Sequence, residues 1–159
     1  MPQRIPFNPA EITSAVLGAT AEIVRGCARA GLEVAVLATP VGNPDIWQKP
    51  APLDYVPGGA RGNWRVDIDN DNPAYDPNDL DTTGARTIVE GVQKIDTYTR
   101  AMAQRGARLY VQNGTPYIDV LESGEASTQG DHMAAKGSVA ASHAFNERRV
   151  LDAASDYQR

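Results

Sequence analysis

From Asn8 to Leu37 the residues Ile12, Val16, Ala19, Ile23, Cys27, Ala30, Val34 and Leu37 step by three and four without a break. That spacing predicts one long amphipathic helix. Asn8 is placed to cap it, Pro9 suits the first helical position, and Glu11 stands where a capping box puts a carboxylate. Thr39-Pro40 ends it, because the residue before a proline is pushed out of the helical region. An apolar stripe of this length has to be covered along its whole run. Ala15, Gly18, Ala19, Gly26, Ala30 and Gly31 keep much of the helix surface small, so another backbone can approach closely. The seam can pack on the chain's own sheet or on a neighbouring subunit.

The period changes twice further along. Trp64, Val66 and Ile68 alternate with Arg65, Asp67 and Asp69, which reads as a strand with one wet face. Leu109 and Val111 alternate with Tyr110 and Gln112 in the same way. Asn113-Gly114 then offers positive φ for a tight turn, and Pro116 stops the strand. Tyr117, Ile118 and Leu121 fit a short helical turn that Gly124 would close in the left-handed region. Between the strands, Asp81-Thr82-Thr83-Gly84 opens a second helix of about twenty residues through Ile88, Val89, Val92, Ile95, Tyr98 and Met102, with Gly106 as its stop. Residues 133–157 read as a C-terminal helix with Val139, Ala140, Phe145, Val150 and Leu151 as its contacts. The prediction is an α+β fold: one domain over residues 1–159, a small antiparallel sheet packed by the long N-terminal helix and the second helix. Residues 1–8 form a tail, and residues 40–62 and 70–82 form long loops. The first loop is either an arm that orders against a partner through Ile46, Trp47 and Tyr55, or a surface loop folded back on its own domain.

Composition narrows the function classes. A net charge of −5 argues against gripping nucleic acid, which takes cations that replace counterions on phosphates. No run reaches the apolar length of a membrane span, and residues 1–7 lack the apolar stretch of a signal peptide, so the expectation is a soluble protein made in a cytoplasm. A single cysteine, Cys27, rules out a disulfide within one chain. Asp67, Asp69 and Asp71 imitate the start of a calcium loop, but Asn72 takes the place of its glycine and Asn78 that of its glutamate. Gly58-Gly59-Ala60-Arg61-Gly62 lacks the lysine of a phosphate loop. His132 and His143 have no ligand spacing, and Asp119 with Glu122 is a carboxylate pair without a partner base. No catalytic residue, metal or cofactor is expected, and the chain reads as a builder of surfaces.

Tyr110-Val111-Gln112-Asn113, Gly114-Thr115-Pro116-Tyr117 and Leu121-Glu122-Ser123-Gly124, with Ser127 and Gln129, resemble the neck and tail-completion proteins of tailed bacteriophages, the group that includes minor tail protein Z. Thr39-Pro40-Val41 and Gly59-Ala60-Arg61-Gly62-Asn63-Trp64-Arg65-Val66 resemble the group's upstream motifs, so the likeness spans Ala38 to Met133. In this chain residues 42–58 separate those two motifs, and Gly130-Asp131-His132-Met133 follows Gln129 where the family usually has another pattern. The resemblance implies a virion structural protein at the neck or upper tail, assembled in the host cytoplasm. It implies a homo-oligomeric ring between portal or adaptor and tail proteins, with genomic DNA passing through the lumen without sequence-specific contact and no membrane partner. Its signature positions here are Thr39, Pro40, Arg61, Trp64, Tyr110, Tyr117, Leu121, Glu122 and Gly124. Of these, Trp64, Tyr117 and Leu121 are expected in the core, and Arg61 is expected to pair with Glu122. The reading from another class is a non-enzymatic nucleic-acid or regulatory binding module.

Overall fold

The computed structural model describes residues 8–41 and 55–122. They form an α+β arrangement in the order α1 (Pro9–Ala38), α2 (Gly59–Gly62), β1 (Trp64–Ile68), α3 (Ala85–Asp96), α4 (Arg100–Gln104), β2 (Leu109–Asn113) and α5 (Ile118–Glu122). Ile46, Trp47, Gly124 and the expected helix over residues 133–157 lie outside the described residues.

The 30 residues of α1 span about 45 Å. Asn8 Oδ1 accepts from the Ala10 N–H at 3.1 Å, while the Asn8 side-chain amide donates to Glu11 at 2.8 Å, so the carboxylate braces the cap itself. At the other end the Thr39 N–H and hydroxyl both donate to the Ala35 carbonyl before Pro40 turns the chain away. The packed face of α1 is not the stripe the sequence suggested. Ala21, Leu32, Ala35 and Val36 are buried, with Ala28 against them, whereas Val16 is 56 % exposed and Leu37 50 %. Ile12, Ala19, Ile23, Cys27, Ala30 and Val34 are half-buried. Both stripes satisfy the same three-and-four spacing, so periodicity cannot choose between them. The choice falls to the smaller, alanine-rich side because α3 and the sheet come close to it.

β1 and β2 pair antiparallel with Val66 opposite Val111. They are not a hairpin, since α3 and α4 lie between them in the chain. Trp64 and Val66 turn to the helices, while Arg65, Asp67, Tyr110 and Gln112 share the other face, where Gln112 Nε2 donates to Asp67 at 3.1 Å. A two-stranded sheet is marginal on its own, and here α1 and α3 lie side by side over its apolar face. One cluster joins Leu32, Ala35, Val36, Trp64, Val66, Ile95, Tyr117 and Leu121; a smaller one joins Ala21, Tyr98 and Ala107.

Three sequence expectations are corrected here. The second helix is two helices, broken at Thr97–Thr99. Tyr98 is buried at the break and its hydroxyl donates to the Ala107 carbonyl at 2.8 Å, its own carbonyl accepts from Arg25 at 2.6 Å, and Thr99 Oγ1 caps α4 by accepting from Met102. Burying that ring holds the break where helical propensity alone would run on. Gly114 is not in the left-handed region; its use is close approach, since a Cβ there would lie 2.7 Å from the Pro73 carbonyl oxygen. Lastly, the end of the loop read as 40–62 is wound into α2.

Gly91 decides how near α3 comes to α1. A Cβ at this position would overlap Leu32 Cδ2 and lie 3.2 Å from Val66 Cγ2, and Leu32 is fully buried with nowhere to retreat. Gly91→Ala is therefore expected to lower stability by about 1–3 kcal/mol despite alanine's better helix propensity. Urea denaturation of the variant checks this, and an unchanged or raised midpoint would refute the close-approach account.

Candidate functional site

Where α1 ends, three chain segments meet on Arg61. Gly58 adopts φ 82 and starts the turn that becomes α2, and this winds the chain so that Arg61 points at the last carbonyls of α1. Its guanidinium donates through Nε to the Thr39 carbonyl at 3.0 Å, through Nη2 to the carbonyls of Thr39 and Leu37, and through Nη1 to the Thr82 carbonyl at 2.8 Å. The fork of an arginine can serve several oxygens at once, which the single ammonium of a lysine cannot. Helix C-terminal carbonyls carry partial negative charge, so a cation here also complements the α1 dipole. Burial lowers the Arg61 pKa from its usual value, with Asp81 and Tyr55 pulling the other way. Next to it, Trp64 Nε1 donates to Thr39 Oγ1 at 2.7 Å, and that hydroxyl in turn donates to the Ala35 carbonyl at 2.7 Å.

Two polar side chains, Asn63 and Asp81, tie the 70–82 segment to this knot. Asn63 Nδ2 donates to the carbonyls of Gly59 and Asp76, both at 2.9 Å, and Asn63 Oδ1 accepts from the Asp76 N–H at 2.8 Å. Gly62 has no side chain because a Cβ would overlap the Asp79 carbonyl oxygen. Asp79 itself pairs with Arg65 and Arg86. Asp81 closes the segment: one carboxylate oxygen accepts from the N–H and hydroxyl of Thr87, both at 2.9 Å, and the other from Gly84 N–H at 2.7 Å and from the N–H and hydroxyl of Thr83 at 3.0 Å. Burial by itself would raise the Asp81 pKa, but the Thr87, Gly84 and Thr83 bonds outweigh it and hold the carboxyl well below the usual carboxylate range.

The remaining wall is aromatic. Tyr55 and Tyr117 pack with their rings tilted by 58° and their centroids 5.4 Å apart. Burial, then the neighbouring Tyr117, pushes the Tyr55 phenol up to about 12, against the pull of Arg61. Asn113 Nδ2 donates to the Ala60 carbonyl at 2.7 Å and so fastens the end of β2 to α2.

Of the signature positions, Thr39, Arg61, Trp64, Tyr117 and Leu121 converge, with Trp64, Tyr117 and Leu121 buried as expected. Pro40 is buried beside Thr39. Tyr110 does not join them: it lies on the far face of the sheet, beside Arg108. Arg61 spends its donors on backbone carbonyls, and the side chain of Glu122, its expected partner, lies outside the described ones. Tyr55, named as a possible interface residue, is half-buried and packs on Tyr117. Sequence reasoning overlooked Asn63, Asn113 and Asp81 as knot members. Asp81 carried a readable signal, the Asp-Thr-Thr-Gly run before a helix, whereas Asn63 and Asn113 look like ordinary turn residues. Arg61, Asn63, Trp64 and Asp81 spend their polar groups on the backbone and on neighbouring side chains, which is the chemistry of a brace; among the described residues no group of three or more histidines, cysteines or acids gathers as a metal site. No family model matches this chain, and neither a curated protein nor a solved structure does.

Two expectations test the brace. Arg61→Lys leaves buried carbonyls without donors and should cost about 2–4 kcal/mol in urea denaturation; a loss within error of wild type would show that the carbonyls are satisfied otherwise. Because the folded Asp81 pKa lies below its unfolded value, its contribution is in place above the unfolded pKa near 4 and is lost as pH falls through the folded one. The wild-type melting temperature should therefore drop more steeply below about pH 4 than that of Asp81→Asn. Parallel slopes would remove Asp81 from the account.

Proposed function

We propose that this chain is a structural protein of a tailed-bacteriophage virion, a ring component at the neck or tail-completion site, with no catalytic role. One observation carries the reading: motif residues scattered from Thr39 to Leu121 meet in one buried brace. Residues held in common with a structural family for packing reasons belong where they fix backbone paths, and these do. The net charge of −5 fits a role in which DNA passes without being gripped. The partners under this reading are further copies of the chain and the portal, adaptor or tail proteins next to it. No described helix is long and apolar enough to cross a membrane.

The deciding experiment is a mass measurement of the full-length protein, alone and mixed with the structural proteins encoded beside it, followed by imaging of any large species. Closed rings are the expected product. A chain that stays at one or two copies with every neighbour would overturn the reading, and tight DNA binding that weakens steeply with salt would favour a nucleic-acid module instead.

A further inference from the structure

The two-stranded sheet leaves one edge of β1 without a strand partner among the described residues. The Asp69 N–H donates to the carbonyl of Arg108, its directly opposed neighbour, at 2.8 Å. That bond sets the parity of the ladder. Residues 65 and 67 turn their backbone groups to β2, and Trp64, Val66 and Ile68 turn theirs to the open edge. The Trp64 carbonyl accepts weakly from Arg65 at 3.3 Å, while the N–H and C=O groups of Val66 and Ile68 meet no further partner among the described residues. Alongside runs a groove of about 150 Å³, between residues 64–67 of β1 and Thr87, Glu90, Gly91 and Lys94 of α3.

Unpaired edge groups spaced as in a strand call for another strand. The sequence of β1 is self-complementary about its middle residue. Set antiparallel to itself with Val66 opposite Val66, Trp64-Arg65-Val66-Asp67-Ile68 places Arg65 against Asp67 on the polar face, twice, and Trp64 against Ile68 on the apolar face. The backbone parity agrees: this register makes the pairs at 64, 66 and 68 the hydrogen-bonded ones, as their outward N–H and C=O groups demand. A slip of one residue would put charged side chains against apolar ones. We propose that β1 pairs with β1 of a second copy across a two-fold axis at Val66, joining two sheets into one. The same axis sets α3 antiparallel to its copy, and brings Glu90 and Lys94, on the rim of the groove, towards Lys94 and Glu90 of the other chain. The contact is isologous and closes at two chains, whereas a ring needs a head-to-tail contact, so this pairing does not rest on the ring reading and fails separately from it.

Sedimentation of the full-length chain from about 1 to about 100 μM reads the pairing directly, with a reversible dimer expected. Asp67→Arg sets like charges against Arg65 on both sides of the axis and should weaken the dimer about tenfold or more. Glu90→Lys and Lys94→Glu change exposed helix positions outside the core and should each weaken it alone, while an equal mixture of the two recovers a heterodimer. A melting curve for each variant confirms that it still folds. A wild-type chain that stays monomeric throughout, as it would if its own residues covered the edge, overturns the proposal. So does a dimer whose strength ignores all three substitutions.

Discussion

The buried guanidinium of Arg61 under the end of α1 is what the rest of the structure leans on. A helix of this length ends in carbonyls that have no partner within the helix, and at this end those groups lie inside the protein, away from water. Arg61 meets them with a cation that complements the helix dipole, and with the same fork it holds the Thr82 carbonyl just ahead of α3. One side chain thus relates the ends of two helices. Trp64 adds the strand to the same point through its bond to Thr39.

Around this point the fold is held as much by polar mortar as by apolar packing. The larger apolar cluster is modest, and a two-stranded sheet contributes little by itself. Asn63 and Asp81 make up the difference by fastening the 70–82 segment, which has no helix or strand of its own, onto α2 and α3. Each satisfies several backbone groups at once, and this lets an irregular segment lie against the core without orphaned donors.

The division of labour bears on function. Residues of the brace face inward and engage one another, while the features turned outward are of a different kind: Val16 and Leu37 of α1, and the edge of β1 that has no strand partner among the described residues. Such a chain presents surfaces on a rigid frame. That suits the proposed assembly role better than a pocket chemistry, since Arg61 and Asp81 are already occupied in holding the frame together.

The sequence by itself determined the element types and much of the core. The caps at Asn8 and Thr39, the wet-faced strands, the short α5 turn and the burial of Trp64, Tyr117 and Leu121 follow from periodicity and local backbone rules, which act within a few residues. Tertiary structure alone decided the rest. Which stripe of α1 is packed depended on Gly91 and Leu32 meeting across two helices, and the break at Tyr98 depended on a ring whose hydroxyl reaches Ala107. The carbonyls that Arg61 holds were not legible, because every residue has one and no sequence pattern marks which will be met. Contacts between distant segments are set by where backbones pass, and that information appears only once the chain is folded.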